Sequence, residues 1–269
     1  MKQLTATLNK LDPKEMRYKR ARRADFDQLI AESTQVFVDG KLRIQFEVLP
    51  VVPADLLLAM QRVNYIVGWR SEGLKTQSRV FGYQPRLTIR RDFCTETSMS
   101  LEHPEEAAAL RRWAGIADTT YRGVNPELHA RARELTNQVL PCWRIGDTVF
   151  TSGIVNKDNA LFYHLDSGNF KDIWSAMYAI SHDCAGGYLA VPELNIGFSF
   201  DRPALIMFDG QGLIHGVTPL EKRSKEAYRY SVVYYALQQM CKCGTLDEEL
   251  ARIRKVKTQR ELKRAGKAP

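Results

Sequence analysis

No uninterrupted apolar run in this chain approaches the roughly 18 residues that a membrane-spanning helix needs, and the polar opening Met1-Lys2-Gln3 is not followed by an apolar signal core. Membrane spanning and secretion are therefore not expected. Cysteine is scarce as well. The five cysteines, Cys94, Cys142, Cys184, Cys241 and Cys243, are odd in number and scattered in spacing, so a disulfide framework is not expected and a reducing, intracellular (cytoplasmic) compartment is favoured. Internal repeats and low-complexity stretches are lacking, which excludes solenoids and arrays.

What is present is a globular composition, 44% apolar over 269 residues, with a net charge of +8 that is unevenly spread. Residues 1–23 carry eight Lys/Arg against two acids, and residues 251–269 carry eight against one, which leaves the body mildly acidic. Basic ends on an acidic body suit a polyanionic partner, because each neutralised phosphate releases condensed counterions. Two solvated ends are the plainer alternative.

Three zones follow from the patterning: a basic arm (1–24), a catalytic domain (25–244) and a basic terminal helix (245–269). Within the domain, 25–146 reads as a helical layer. Asp25–Ser33, Pro53–Val63, Pro104–Trp113 and Pro126–Gln138 are predicted helices, the last three opening on proline, and Leu42–Val48 alternates like a half-buried strand. From about Asp147 the texture changes to short apolar runs broken by Gly, Asn, Asp and Pro: Thr148–Ser152, Ala160–His164, Ile173–Ile180, Gly187–Val191, Gly197–Phe200, Ala204–Phe208 and Tyr228–Leu237. Such runs predict a sandwich or jelly-roll β core over 147–240, and an α+β class. Thr245-Leu246-Asp247-Glu248 is a capping box, and Leu250, Ile253 and Val256 continue it at helical spacing. That helix is free to lie along DNA, pack on the domain or stay solvated.

His164-Leu165-Asp166 ends one of the short runs. On a strand, residues i and i+2 share a face, so the pair can reach one metal, and His215, after the Phe208-Asp209-Gly210 turn, is a third candidate ligand. Two imidazoles and a carboxylate on one face of an iron(II) octahedron leave three positions open for oxygen chemistry. Arg229 sits in an apolar and aromatic run and needs a partner; a dicarboxylic co-substrate held bidentately, helped by Ser231 on the same face, or a structural salt bridge would supply one.

Together, His164-Leu165-Asp166-Ser167-Gly168-Asn169-Phe170, the stretch Phe208 to Pro219 and Arg229-Tyr230-Ser231 resemble the TET/JBP family of iron(II)/2-oxoglutarate DNA dioxygenases, in the short form found in phages and bacteria, with support from Phe81 to Arg86. The resemblance implies a double-stranded β-helix core with flanking helices, iron(II) on His164, Asp166 and His215, and the distal carboxylate of 2-oxoglutarate on Arg229 and Ser231. Dioxygen is the remaining co-substrate, and DNA with a flipped or unpaired base is the partner. Asn169 and Tyr235 match positions that contact the flipped methylcytosine in animal relatives, whereas Leu237 stands where those relatives carry a base-contacting histidine. Hydroxylation of 5-methylcytosine to 5-hydroxymethylcytosine is the expected reaction. Thymine hydroxylation, oxidation of RNA, protein or a small molecule, and non-catalytic DNA binding are the alternatives.

The remaining candidates are weaker. Arg86, Arg90 and Arg91 suit substrate phosphate or co-substrate contact, or a solvated face. His182-Asp183-Cys184 reads as a turn, Cys241-Lys242-Cys243 as structural, and His103 and His129 as surface positions on helices.

Overall fold

In the computed structural model, which describes residues 1–69, 74–86 and 92–264, two sheets face one another and helices cover the outer side of the larger. The larger runs in the order Lys2–Thr5, Thr34–Val38, Lys41–Val48, Ala204–Phe208, Ser175–His182, Tyr228–Tyr235, Ser152–Lys157, Lys75–Gln84 and Ile66–Trp69, with Thr95–Glu96 paired onto Lys75–Gln84. The smaller runs Gln28–Ile30, Ile196–Phe198, Leu189–Val191, His215–Val217 and Leu161–His164.

Period-two alternation assigns each strand residue to one of two cores. Along Ala204–Phe208, Leu205 and Met207 join the helix-side cluster, whereas Ala204, Ile206 and Phe208 join the cluster between the sheets. Along Tyr228–Tyr235, Tyr230, Val232 and Tyr234 pack towards the helices, and Arg229, Ser231, Val233 and Tyr235 face the interior cavity. The helix Pro104–Val124 buries Ala107, Leu110, Ala114, Ala117 and Tyr121 on the sheet, fixed by hydrogen bonds from Tyr234 Oη to the Leu110 carbonyl (2.9 Å) and from the Trp174 N–H to Tyr121 Oη (3.0 Å).

Several sequence expectations are corrected. Asp25–Ser33 is not a helix: a single 3-10 turn at Arg23–Asp25 precedes the strand Gln28–Ile30, which pairs in parallel with Ile196–Phe198. The stretch 25–146 also supplies five strands of the larger sheet besides its helices, so it is not simply a helical layer. The run expected at Thr148–Ser152 turns instead, and the strand begins at Ser152. The first 24 residues are not a detached arm, because Lys2–Thr5 adds in parallel to Thr34–Phe37 and Tyr163 N–H donates to the Lys19 carbonyl at 3.0 Å. Among the described residues, no helix is long and apolar enough to cross a membrane.

Cys94 and Cys243 form a disulfide across 149 residues of sequence, a pairing that the scattered spacing conceals and that the expectation of no disulfides missed. It joins the C-terminal helix Leu246–Arg264 to the body. Beside it, buried Glu249 accepts hydrogen bonds from the Cys94 N–H (2.8 Å), the Gly244 N–H (2.9 Å) and Arg86. Thr245 and Glu248 cap the helix reciprocally.

Candidate active site

Three ligand-type side chains meet where the smaller sheet ends. His164 closes the strand Leu161–His164, and His215 opens the neighbouring strand directly opposite it. Each ring is fixed by its own backbone: His164 Nδ1 lies 2.8 Å from the Phe162 carbonyl, and His215 Nδ1 lies 2.9 Å from the Leu213 carbonyl. A carbonyl only accepts, so Nδ1 carries the proton in both rings and the lone pair sits on Nε2. Both Nε2 atoms turn to Asp166, at 3.7 Å and 3.9 Å from its two carboxylate oxygens. All three ligand atoms lie within 4.8 Å of one another.

The turn Phe208 to Leu213 makes room for this cluster. Asp166 N–H donates to the Gly210 carbonyl at 2.9 Å, and a Cβ at Gly210 would collide with the Asp166 carboxylate. Any larger residue there would have to displace that carboxylate. Asp209 shapes the turn by accepting from the Gln211 and Gly212 N–H groups, and burial raises its carboxyl above the usual range despite those bonds. Two imidazoles, each oriented by a hydrogen bond to backbone, and a carboxylate beside them form the donor set that suits iron(II) with open positions.

The same cavity, about 680 Å³, is walled on its far side by Arg229, Ser231 and Asn156. Arg229 is 2% exposed, and neither its Nε nor its Nη2 has a hydrogen-bond partner among the described residues. Its nearest acid is engaged elsewhere: Asp158 accepts from the Arg229 backbone N–H (2.8 Å) and from Lys222 Nζ (2.6 Å). The guanidinium instead lies over the Phe200 ring at 5.5 Å. Burial lowers its pKa to about 10, only partly offset by Asp158 and Cys184, so the group remains a cation at neutral pH. Gly187 keeps space for it, since a Cβ there would come within 2.8 Å of Arg229 Cδ. A buried cation with open donors fits an anionic ligand, and a metal-chelating dicarboxylate matches both ends of the cavity.

Asn156 was not anticipated from sequence. It pairs in register with Ser231, and its Oδ1 accepts from Ser78 Oγ (2.8 Å) and Asn159 Nδ2 (3.1 Å). The amide orientation is thereby set, and Nδ2 makes no hydrogen bond among the described residues. Nothing in the short polar run Asn156-Lys157-Asp158-Asn159 distinguishes it from a turn.

Asn169, Tyr235 and Leu237 also line the cavity. Asn169 donates to Ser175 Oγ at 3.2 Å and bridges backbone to backbone with Leu237. Burial, reinforced by Asp166, raises the Tyr235 phenol well above its ordinary value and keeps it neutral. Arg86 is not among the residues that line this cavity and forms an ion pair with Glu249. Arg90 and Arg91 lie outside the described residues. His129 is buried against Asp118 at 3.1 Å and is not a surface position.

The sequence pattern of the Tet_JBP family, the oxygenase domain of the 2OGFeDO superfamily, covers residues 80–238, more than half of the chain and every residue of the triad and the arginine wall. This chain belongs to the Tet_JBP family. Membership brings iron(II), 2-oxoglutarate and dioxygen as its cofactor and co-substrates, and the Tet_JBP triad and Arg229 fit the first two on the geometry above. The Tet_JBP chain is 27% identical over 132 residues to the bifunctional helicase and thymine dioxygenase JBP2 of Trypanosoma brucei brucei. That match takes in 49% of this chain but 11% of that relative, so the chain spans about a ninth of its length. NgTET1, solved in complex with 5mC DNA, superposes with a TM-score of 0.58 at 12% identity, covering 84% of this chain and 86% of that one. That superposition shows the double-stranded β-helix fold.

Proposed function

We propose that the chain hydroxylates the 5-methyl group of 5-methylcytosine in DNA, converting it to 5-hydroxymethylcytosine. The observation that carries this reading is the buried, unpartnered Arg229 guanidinium facing the same cavity as His164, Asp166 and His215. His164, Asp166 and His215 hold iron(II). Arg229 and Ser231 hold the distal carboxylate of 2-oxoglutarate, and Asn156 Nδ2 adds a third donor beside them. When bound, iron(II) with 2-oxoglutarate and dioxygen supplies the oxidising power to place one oxygen atom in a methyl C–H bond, the co-substrate leaving as succinate and carbon dioxide.

The chain's own residues position the reactants. The Nδ1–H bonds to backbone hold both imidazoles with Nε2 towards the metal, and the apolar walls Leu189, Phe208 and Val217 exclude water. A methyl group inside a duplex is out of reach of this cavity, so the nucleotide enters flipped or unpaired, at a cost of a few kcal/mol. Asn169 offers an amide to its Watson–Crick edge and Tyr235 a neutral aromatic face for stacking.

Thymine is the second reading, favoured by Leu237 on the cavity wall, where a hydrogen-bonding side chain would read the base, and by the thymine dioxygenase named for the trypanosome relative. Incubation with iron(II), 2-oxoglutarate and DNA with and without 5-methylcytosine, followed by nucleoside mass spectrometry, separates them. 5-Hydroxymethyldeoxycytidine from methylated DNA supports the proposal. 5-Hydroxymethyldeoxyuridine alone overturns it in favour of thymine, and no DNA-stimulated succinate overturns both.

A further inference from the structure

Of residues 12–23, Pro13, Lys14 and Arg17 line the cavity together with His164, Leu165 and Asp166, and the short helix Pro13–Met16 lies against the strand Leu161–His164. This segment carries six Lys/Arg against two acids. Lys14, Arg17, Lys19 and Arg20 are all exposed, and among the described residues none of the six makes an ion pair. Arg17 lies over the Tyr18 ring at 4.9 Å and Arg20 over the Phe162 ring at 5.7 Å, contacts that orient a guanidinium without neutralising it.

The segment is also registered to the metal-ligand strand. Arg20 bridges to Phe162, the Tyr163 N–H donates to the Lys19 carbonyl (3.0 Å), and Tyr163 Oη donates to Asp25 (2.8 Å). Ala21, 1% exposed, packs with Phe26, Tyr163 and Ile214. Every one of these bonds ends on the strand Leu161–His164 or beside it, and the bonds from the Lys19 N–H to the Met16 carbonyl and from the Arg17 N–H to the Pro13 carbonyl continue the tie to the backbone that carries Lys14 and Arg17. The C-terminal helix is as basic, yet none of its described residues lines the cavity.

We infer that residues 12–23 are a phosphate strap, in which Lys14 and Arg17 bind the backbone of the target DNA strand beside the nucleotide that enters the cavity. The inference rests on the DNA reading above. Phosphate contacts carry no sequence information but set register, and a strap bonded to the metal-ligand strand sets the distance from backbone to iron. The C-terminal helix, anchored away from the cavity lining, supplies attraction that is not aimed at the entering nucleotide.

The test uses the full-length chain with manganese(II) in place of iron, 2-oxoglutarate and a fluorescein-labelled 5-methylcytosine duplex, with Kd followed against salt. Lys14→Gln/Arg17→Gln is expected to lower the slope of log Kd against log salt by about 1.8, near 0.9 for each lost phosphate contact, or about 1.4 on a single strand. Manganese(II) and 2-oxoglutarate affinities by calorimetry should not move, and Lys14→Arg/Arg17→Lys should restore the slope. An unchanged slope in the Gln variant, with wild type still binding, overturns the strap and leaves the DNA reading intact. Loss of manganese(II) and 2-oxoglutarate binding in the Gln variant also overturns it, because the segment is then only a brace. A wild-type chain with no salt-dependent DNA binding fails the DNA reading itself.

Discussion

At the scale of single residues, Arg229 is where folding and binding pull in opposite directions. A guanidinium buried without a partner destabilises the protein before any ligand arrives, and replacing it by an apolar side chain of similar volume removes that penalty. Arg229→Met is therefore expected to raise the melting temperature of the ligand-free protein by about 3–6 °C, equivalent to about 1–2 kcal/mol in a chain of this size. It should simultaneously weaken 2-oxoglutarate by about 10- to 100-fold, the worth of charge-assisted hydrogen bonds. Differential scanning fluorimetry with and without 2-oxoglutarate reads both effects, and a variant less stable in the absence of ligand would contradict the picture of an open cation. Asn156 allows a cleaner substitution. Asn156→Asp keeps an acceptor for Ser78 and Asn159 but puts an anion where the amide nitrogen stood. The manganese(II)-loaded protein should then bind 2-oxoglutarate about 10-fold or more weakly by calorimetry, with metal affinity unchanged.

At the scale of elements, the anchor of the C-terminal helix depends on acid and on redox state. Burial alone would raise the Glu249 carboxyl, but the Arg86 guanidinium and the Gly244 and Cys94 N–H groups outweigh it and hold the group below its ordinary value. A carboxyl lowered on folding contributes stability that is present above its unfolded value and is lost as pH falls through the folded one. Melting curves between about pH 3 and 6 should show that loss in the wild type, and Glu249→Gln should flatten it. Reduction of Cys94–Cys243 releases a loop of 149 residues and is expected to lower the melting temperature by about 5–15 °C, from roughly 2–5 kcal/mol of chain entropy. The disulfide and the bonds of Glu249 to Arg86 and Cys94 were not legible in the sequence, because these partners are 149 to 163 residues apart and only the fold brings them together. By contrast, His164, Asp166, His215 and Arg229 were legible, since strand periodicity and a glycine-bearing turn are local signals. Asp25–Ser33 misled for the same local reason: Phe26, Leu29 and Ile30 mimic helical spacing. Pairing with Ile196–Phe198 decides their conformation instead. The strand Ile66–Trp69 escaped notice because Ile-Val-Gly-Trp does not alternate.

At the scale of the whole molecule, the two basic ends look equivalent by charge but are integrated differently, and truncation separates them. Removing 251–269 takes away most of the helix and its Arg252–Asp92 ion pair but retains Glu249 with its bonds to Arg86 and the Cys94 N–H, together with the Thr245/Glu248 cap. DNA affinity and its salt dependence should fall, while DNA-independent turnover of 2-oxoglutarate stays close to that of the full chain. Removing 1–23 deletes an edge strand of the larger sheet, the Lys19 carbonyl that receives the Tyr163 N–H, and buried Ala21. The strand ending in His164 then loses its outer support, so this truncation should reduce DNA-independent turnover and metal affinity along with DNA binding. Succinate release measured without DNA, together with manganese(II) calorimetry on both truncations, distinguishes the two ends. Equal retention of turnover after both deletions would return residues 1–23 to the status of a detached arm, because a segment that braces the metal-ligand strand cannot be removed without disturbing the ligand it braces.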